Sequence, residues 1–235
     1  MRHLISLLLL IPYLGFSQTT GDHTLDKKVL TDTIAIELDS SGFYLLKQVV
    51  PPCTFSGDKN TWHVKDLNND GKQDLIFSAP CGSVSGETTI YINRNDSIEP
   101  AFNAYGQVTQ VFPDAEMSLV CIYRPACCCA YFSEFEFVVI SRNGAIMSKT
   151  LSYHQDTRLS FGDNSRLELM SGIIRSSPTE NNEIQIDPCT SEELIGNQVV
   201  TITDQKVVIL NTEGSWHLVM YQVNNNYVII GWIKK

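Results

Sequence analysis

The rhythm of its apolar residues constrains this chain most. Short runs rich in Val, Ile, Thr, Tyr and Phe, broken by Gly, Asn, Asp and Pro, recur along its length. They occupy residues 29–38, 43–49, 62–64, 75–77, 89–93, 118–123, 135–140 and 145–151, then 199–203, 206–210, 217–222 and 227–233. Such runs suit half-buried pleated strands. No stretch holds a helical apolar period long enough to stand as a helix. The clearest pair, 135–140 with 145–151, meets at Asn143-Gly144, which predicts a hairpin closed by a type I′ turn. The expected fold class is all-β.

The chain opens with Met1-Arg2-His3 and a nearly unbroken apolar run over residues 4–16, with small residues Gly15 and Ser17 ahead of Gln18. A basic start, a short apolar core and a small-residue cut site predict a signal peptide over 1–17 and a secreted or periplasmic protein. The run falls short of the ~20 apolar residues that span a bilayer. The formal net charge of −9 disfavours a role resting on nucleic-acid phosphates, which need a basic face. All seven cysteines lie beyond the cut: Cys53, Cys81, Cys121, Cys127, Cys128, Cys129 and Cys189. In an oxidising compartment they are expected in disulfides, with one left over because the number is odd. A thiolate metal site and a reactive thiol are the alternatives, although three adjacent cysteines do not match the usual spacing of zinc ligands.

The sharpest motif is Asp66-Leu67-Asn68-Asn69-Asp70-Gly71-Lys72-Gln73-Asp74. Oxygen-bearing side chains stand at loop positions 1, 3, 5 and 9, and Gly71 at position 6 permits a tight bend. Calcium takes about six to eight oxygen ligands, and this spacing turns four side chains and the Lys72 carbonyl inward. The other reading is a solvated acidic turn without metal. Phe77 stands where an EF-hand has its bidentate Glu, and the flanks are strand-like rather than helical.

Residues 55–93, with this loop at their centre, resemble the FG-GAP family and the related VCBS repeats, the calcium-loop blades of integrin-type β-propellers. The resemblance implies calcium held by Asp66, Asn68, Asp70, Asp74 and the carbonyl of Lys72. It also implies a loop set between two strands of a four-stranded sheet. Only one such loop is visible, so a partial β-structure is expected rather than a complete propeller.

Residues 176–189 turn polar and read as a linker between a β-domain over 24–175 and a smaller module over 190–235. Within that module, Gly214-Ser215-Trp216 and Gly231-Trp232-Ile233 resemble the paired signatures of bacterial SH3 domains, which are small barrels of short strands. Two tryptophans supply apolar surface to a core with room for few residues. The resemblance implies a ligand groove lined by aromatics, with Tyr221, Tyr227 and Trp232 as candidates and peptidoglycan or envelope proteins as partners.

No Gly-x-Ser-x-Gly elbow, His-Glu-x-x-His helix or phosphate-binding glycine loop is present. A Cys–His pair built from residues 127–129 and His154 is the remaining catalytic combination, and oxidised cysteines would silence it. The expected protein is therefore an exported, non-enzymatic binding protein. The alternatives are a purely structural envelope protein and a small secreted hydrolase.

Overall fold

The computed structural model describes residues 62–79, 86–94, 97–114, 116–127, 131–162, 165–187 and 189–235. The expected signal peptide, the strands at 29–38 and 43–49, and Cys53, Cys81, Cys128 and Cys129 lie outside these residues. The described part is all-β. A first sheet is an antiparallel meander of β1 (Trp62–Lys65), β2 (Asp74–Ala79), β3 (Glu87–Arg94) and β4 (Ser97–Tyr105), in that spatial order. β4 carries Pro100, which an edge strand tolerates because no ladder amide is needed on its open side.

A second meander runs through β5 (Gln107–Pro113), β6 (Met117–Arg124), β7 (Phe132–Ser141) and β8 (Ile146–His154). Its β7–β8 hairpin closes differently from the type I′ expectation. The Gly144 amide donates to the Ser141 carbonyl at 2.8 Å, and only Gly144 of the Asn-Gly pair takes a positive φ, 75°. The turn thus centres on Arg142-Asn143, with Gly144 forming the left-handed bulge of a three-residue connection. Asn143 contributes through its side chain, whose Oδ1 accepts the Ala145 amide at 3.1 Å.

The remaining strands are β9 (Arg166–Arg175), β10 (Ile184–Ile186), β11 (Glu193–Ile195), β12 (Gln198–Glu213), β13 (Trp216–Gln222) and β14 (Tyr227–Lys234). β12 pairs with β9 on one side and β13 on the other. β14 pairs with β13 and touches β9 through Trp232 and Arg175, closing a small ring. β14 also pairs in parallel with β8, which fuses the ring and the second meander into one eight-stranded sheet. The strands on either side of 176–189 are therefore hydrogen-bonded neighbours, and that segment carries β10, the partner of β11.

The segment after β9 is tightly tied. The Arg175 guanidinium donates to the Asn181 carbonyl and to Asn197 and Asn182 side chains, each at 2.9 Å, and the Asn197 amide reaches back to Ser177 and Thr179. Gly196 sits at φ 51° against this knot, and a Cβ there would strike the Asn181 carbonyl. Gly196→Ala is expected to cost about 2–3 kcal/mol, a positive-φ penalty plus a steric clash. Urea denaturation checks this, and an unchanged midpoint would show that the knot yields freely.

Four apolar clusters hold the layers. Leu67, Ile76, Ile90 and Ile92 of the first sheet and its loop meet Val108, Val120, Ile122, Val138 and Ile140 of the second meander. Val64, Leu75, Phe77, Ala79 and Tyr91 fill the other face of the first sheet. Ile174, Ile202, Val207, Ile209, Val219 and Ile233 fill the ring, and Trp232 centres the fourth cluster with Leu210, Leu218, Met220 and Ile230.

His63 on β1 is largely enclosed, its Nδ1 has no partner, and burial pushes its pKa down to about 4. Folding thus holds it neutral where the unfolded chain protonates near 6.5. Its contribution is complete above pH 6.5 and fades as pH falls towards 4, a loss of about 3 kcal/mol. Asp74 has the opposite sign, since burial raises its carboxyl to about 6, so its effect weakens the fold as pH rises from about 4. Comparing wild type with His63→Gln by urea melts across pH 4–7 cancels Asp74. A difference that stays flat with pH would refute the histidine assignment.

Candidate functional site

Two places carry chemistry: the acidic loop between β1 and β2, and a cleft where the two sheets part. In the loop, Asp66 accepts the Asp70 amide on Oδ1 at 3.1 Å and the Gly71 amide on Oδ2 at 2.9 Å. Asn69 at φ 55° and Gly71 at φ 88° supply the left-handed steps that curl the backbone around that carboxylate. Asp70 accepts the Lys72 amide on Oδ1 at 2.9 Å and the Asn68 side-chain amide on Oδ2 at 3.0 Å. Asp74 is fully buried, and its two oxygens accept the Leu67 and Asn93 amides, each at 2.8 Å.

The sequence-expected ligands therefore do come together in one loop. Asp66 and Asp70 stand close enough to add to the upward shift of Asp74, whose first cause is burial. Carboxylate oxygens that accept one amide keep a further lone pair. No group of three or more His, Cys, Asp or Glu side chains among the described residues is drawn together as a metal cage. The carboxylates of Asp66 and Asp70 accept amides of the loop itself, and Asp74 accepts one loop amide and the Asn93 amide of β3.

The cleft arises from a change of character along one sheet face. On β7, Val138 and Ile140 face the first sheet, while Glu134 and Glu136 continue the same face outward. Register sets two rows across the strands: Ile122, Glu136, Thr150 and Tyr227, then Arg124, Glu134, Ser152, Ile229 and Tyr221. Ala104 and Tyr105 of β4 close the side, leaving a cavity of about 350 Å³. The Arg124 guanidinium is paired with Glu134, the Tyr227 hydroxyl donates to Glu134 at 3.4 Å, and the Thr150 hydroxyl donates to Glu136 at 2.6 Å. Ser152 is fully buried on this face, and its Oγ has no partner.

A turn aims Tyr227 into this place. The Val223 amide donates to the Tyr227 carbonyl at 3.0 Å, and the Thr150 amide donates to the Asn226 carbonyl at 2.8 Å. The structure thus separates the three aromatic candidates. Tyr227 lines the cleft, and Tyr221 shares its face but packs against the ring core. Trp232 points to the opposite side, is 0 % exposed, and offers no surface to a ligand. Tyr105, Arg124, Glu134, Glu136 and Thr150 had no sequence motif. Their only trace is the polar alternation Ser133-Glu134-Phe135-Glu136 inside an otherwise apolar strand.

The histidines and described cysteines sit elsewhere. The His154 ring stacks on Tyr131 at 6.2 Å between centroids, and its Nδ1 accepts the Asp156 amide at 3.2 Å. His217 is buried, with Nδ1 and the Thr212 hydroxyl 2.8 Å apart. Cys121 is a buried free thiol on β6, pushed up to about 12 by burial, which leaves it protonated and inert. Among the described residues, no helix is long and apolar enough to cross a membrane. Comparison with protein-family models, curated proteins and solved structures finds no match to this chain.

Proposed function

We propose that this chain is an exported, non-enzymatic binding protein that takes a cell-wall or peptide ligand in the cleft beside Tyr227. The observation that carries the reading is the convergence of Tyr227 with Arg124, Glu134, Glu136 and Thr150 around a cavity of ligand size. Polar groups of both charges and an aromatic ring are what a short peptide needs for orientation and contact area.

Calcium in the Asp66–Asp74 loop is the second part of the proposal, in keeping with the FG-GAP and VCBS resemblance. Its role there is to stiffen the β1–β2 connection. The bacterial-SH3-like reading draws support from the ring that β12, β13 and β14 form with β9. The disulfide reading draws support from Tyr131, whose hydroxyl donates to Asp187 at 3.1 Å, while Asp187 also accepts the Cys189 amide at 2.7 Å. That contact ties the start of β7 to the turn that carries Cys189, and Cys121 is a free thiol.

Retention on insoluble peptidoglycan tests the function. Wild type is expected to be retained and Tyr227→Ala to be released, with unchanged melting of the variant. Equal retention of both would move the site away from the cleft. No retention of either would favour the purely structural reading.

A further inference from the structure

The two carboxylates of the cleft are not equivalent. Glu134 and Glu136 lie two residues apart on one strand face, so their side chains stand about 6–7 Å apart. Glu134 is satisfied by the Arg124 guanidinium and the Tyr227 hydroxyl. Glu136 receives only the Thr150 hydroxyl, and among the described residues no basic side chain pairs with it. One guanidinium against two carboxylates leaves the cleft a formal charge of −1.

We propose that Glu136 receives the ammonium group of a lysine-like side chain on a peptide ligand, a deepening that rests on the binding reading above. An ammonium brings three donors and no acceptor. The cleft answers with the Glu136 carboxylate and the hydroxyl oxygen of Thr150. Tyr227 and the 65 % exposed Tyr105 line the same cavity, and aromatic faces attract a cation. Ile122 stands opposite Glu136 in the register and gives the aliphatic stem of such a side chain an apolar wall. A divalent metal ion fits less well. It needs about six oxygens, whereas the cleft has one unpaired carboxylate and a fixed guanidinium nearby. The volume, about 350 Å³, suits a side chain rather than a single water, whose share of liquid is about 30 Å³.

The test is calorimetric titration of the full chain with a blocked tripeptide, N-acetyl-Ala-Lys-Ala-amide, beside the same peptide acetylated on the lysine amine. The free amine is expected to bind at least about tenfold more tightly than the acetylated form, and Glu136→Gln to lose about tenfold. The wild-type comparison needs no variant, so it decides even if Glu136→Gln fails to fold. Equal affinity for the two peptides would overturn the ammonium assignment and leave the cleft as a peptide site. Binding of neither, with retention on peptidoglycan indifferent to Tyr227→Ala, would overturn both the assignment and the cleft.

Discussion

Trp232→Ala is expected to remove about 3–5 kcal/mol of stability, the largest loss of any single truncation among the described residues. The indole is fully enclosed by Leu210, Leu218, Met220 and Ile230, with Leu151, Tyr153, Leu159, Trp216 and Val228 packed around them. Its backbone also makes the β14–β9 contact that closes the ring. Truncation opens a cavity between rigid strands on both sides, which relax little. Trp232→Phe should be much milder, about 1–2 kcal/mol, because the indole Nε1 has no hydrogen-bond partner to lose. Urea denaturation of the two variants settles the comparison. A loss under about 1 kcal/mol for the alanine variant would show that the cluster repacks without it. A drop in ligand retention by Trp232→Ala would report on the fold, so the cleft is to be tested through Tyr227 and Glu136.

Calcium titration is expected to give saturable heat and a higher melting temperature. At a free concentration a hundred times Kd the stabilisation is about 2.7 kcal/mol. Asp70→Ala should abolish both signals while leaving the metal-free fold nearly unchanged, since Asp70 is exposed and bonds only within the loop. Asp74→Ala should behave differently. It frees the Leu67 and Asn93 amides in a buried setting and should weaken the fold by about 2–3 kcal/mol even in chelator. Absence of heat and of any thermal shift in wild type would remove calcium from the account. Equal loss in Asp70→Ala and Asp74→Ala without metal would show the loop to be a single structural unit.

The strand pattern was legible where apolar side chains alternate on a buried face, as in β7, β8, β13 and β14. It failed for β4, whose Pro100 and exposed positions mimic a loop because the strand lies at a sheet edge. β9 was missed for a related reason: Leu167 and Leu169 point outward, so its alternation does not mark the buried face. The 176–189 stretch reads as a linker because its order comes from Arg175 and Asn197 hydrogen bonds, which leave no hydrophobic signature. The acidic loop could be seen because its residues are contiguous. The cleft could not, since Arg124, Glu134, Thr150 and Tyr227 meet only through strand register. Asn143-Gly144 located a turn correctly but not its type, because Arg142 joins Asn143 at the centre.

The parallel pairing of β14 with β8 joins Thr150 to Tyr227, 77 residues apart in the chain. The two meanders, β1 to β4 and β5 to β8, need only neighbouring residues to assemble. The middle of the long sheet must wait for a segment that arrives much later. Closing so long a stretch costs chain entropy before any contact rewards it, which slows folding. Until then β8 keeps a bare edge able to pair with a strand from another molecule. The long sheet is therefore completed only by a strand from the end of the chain.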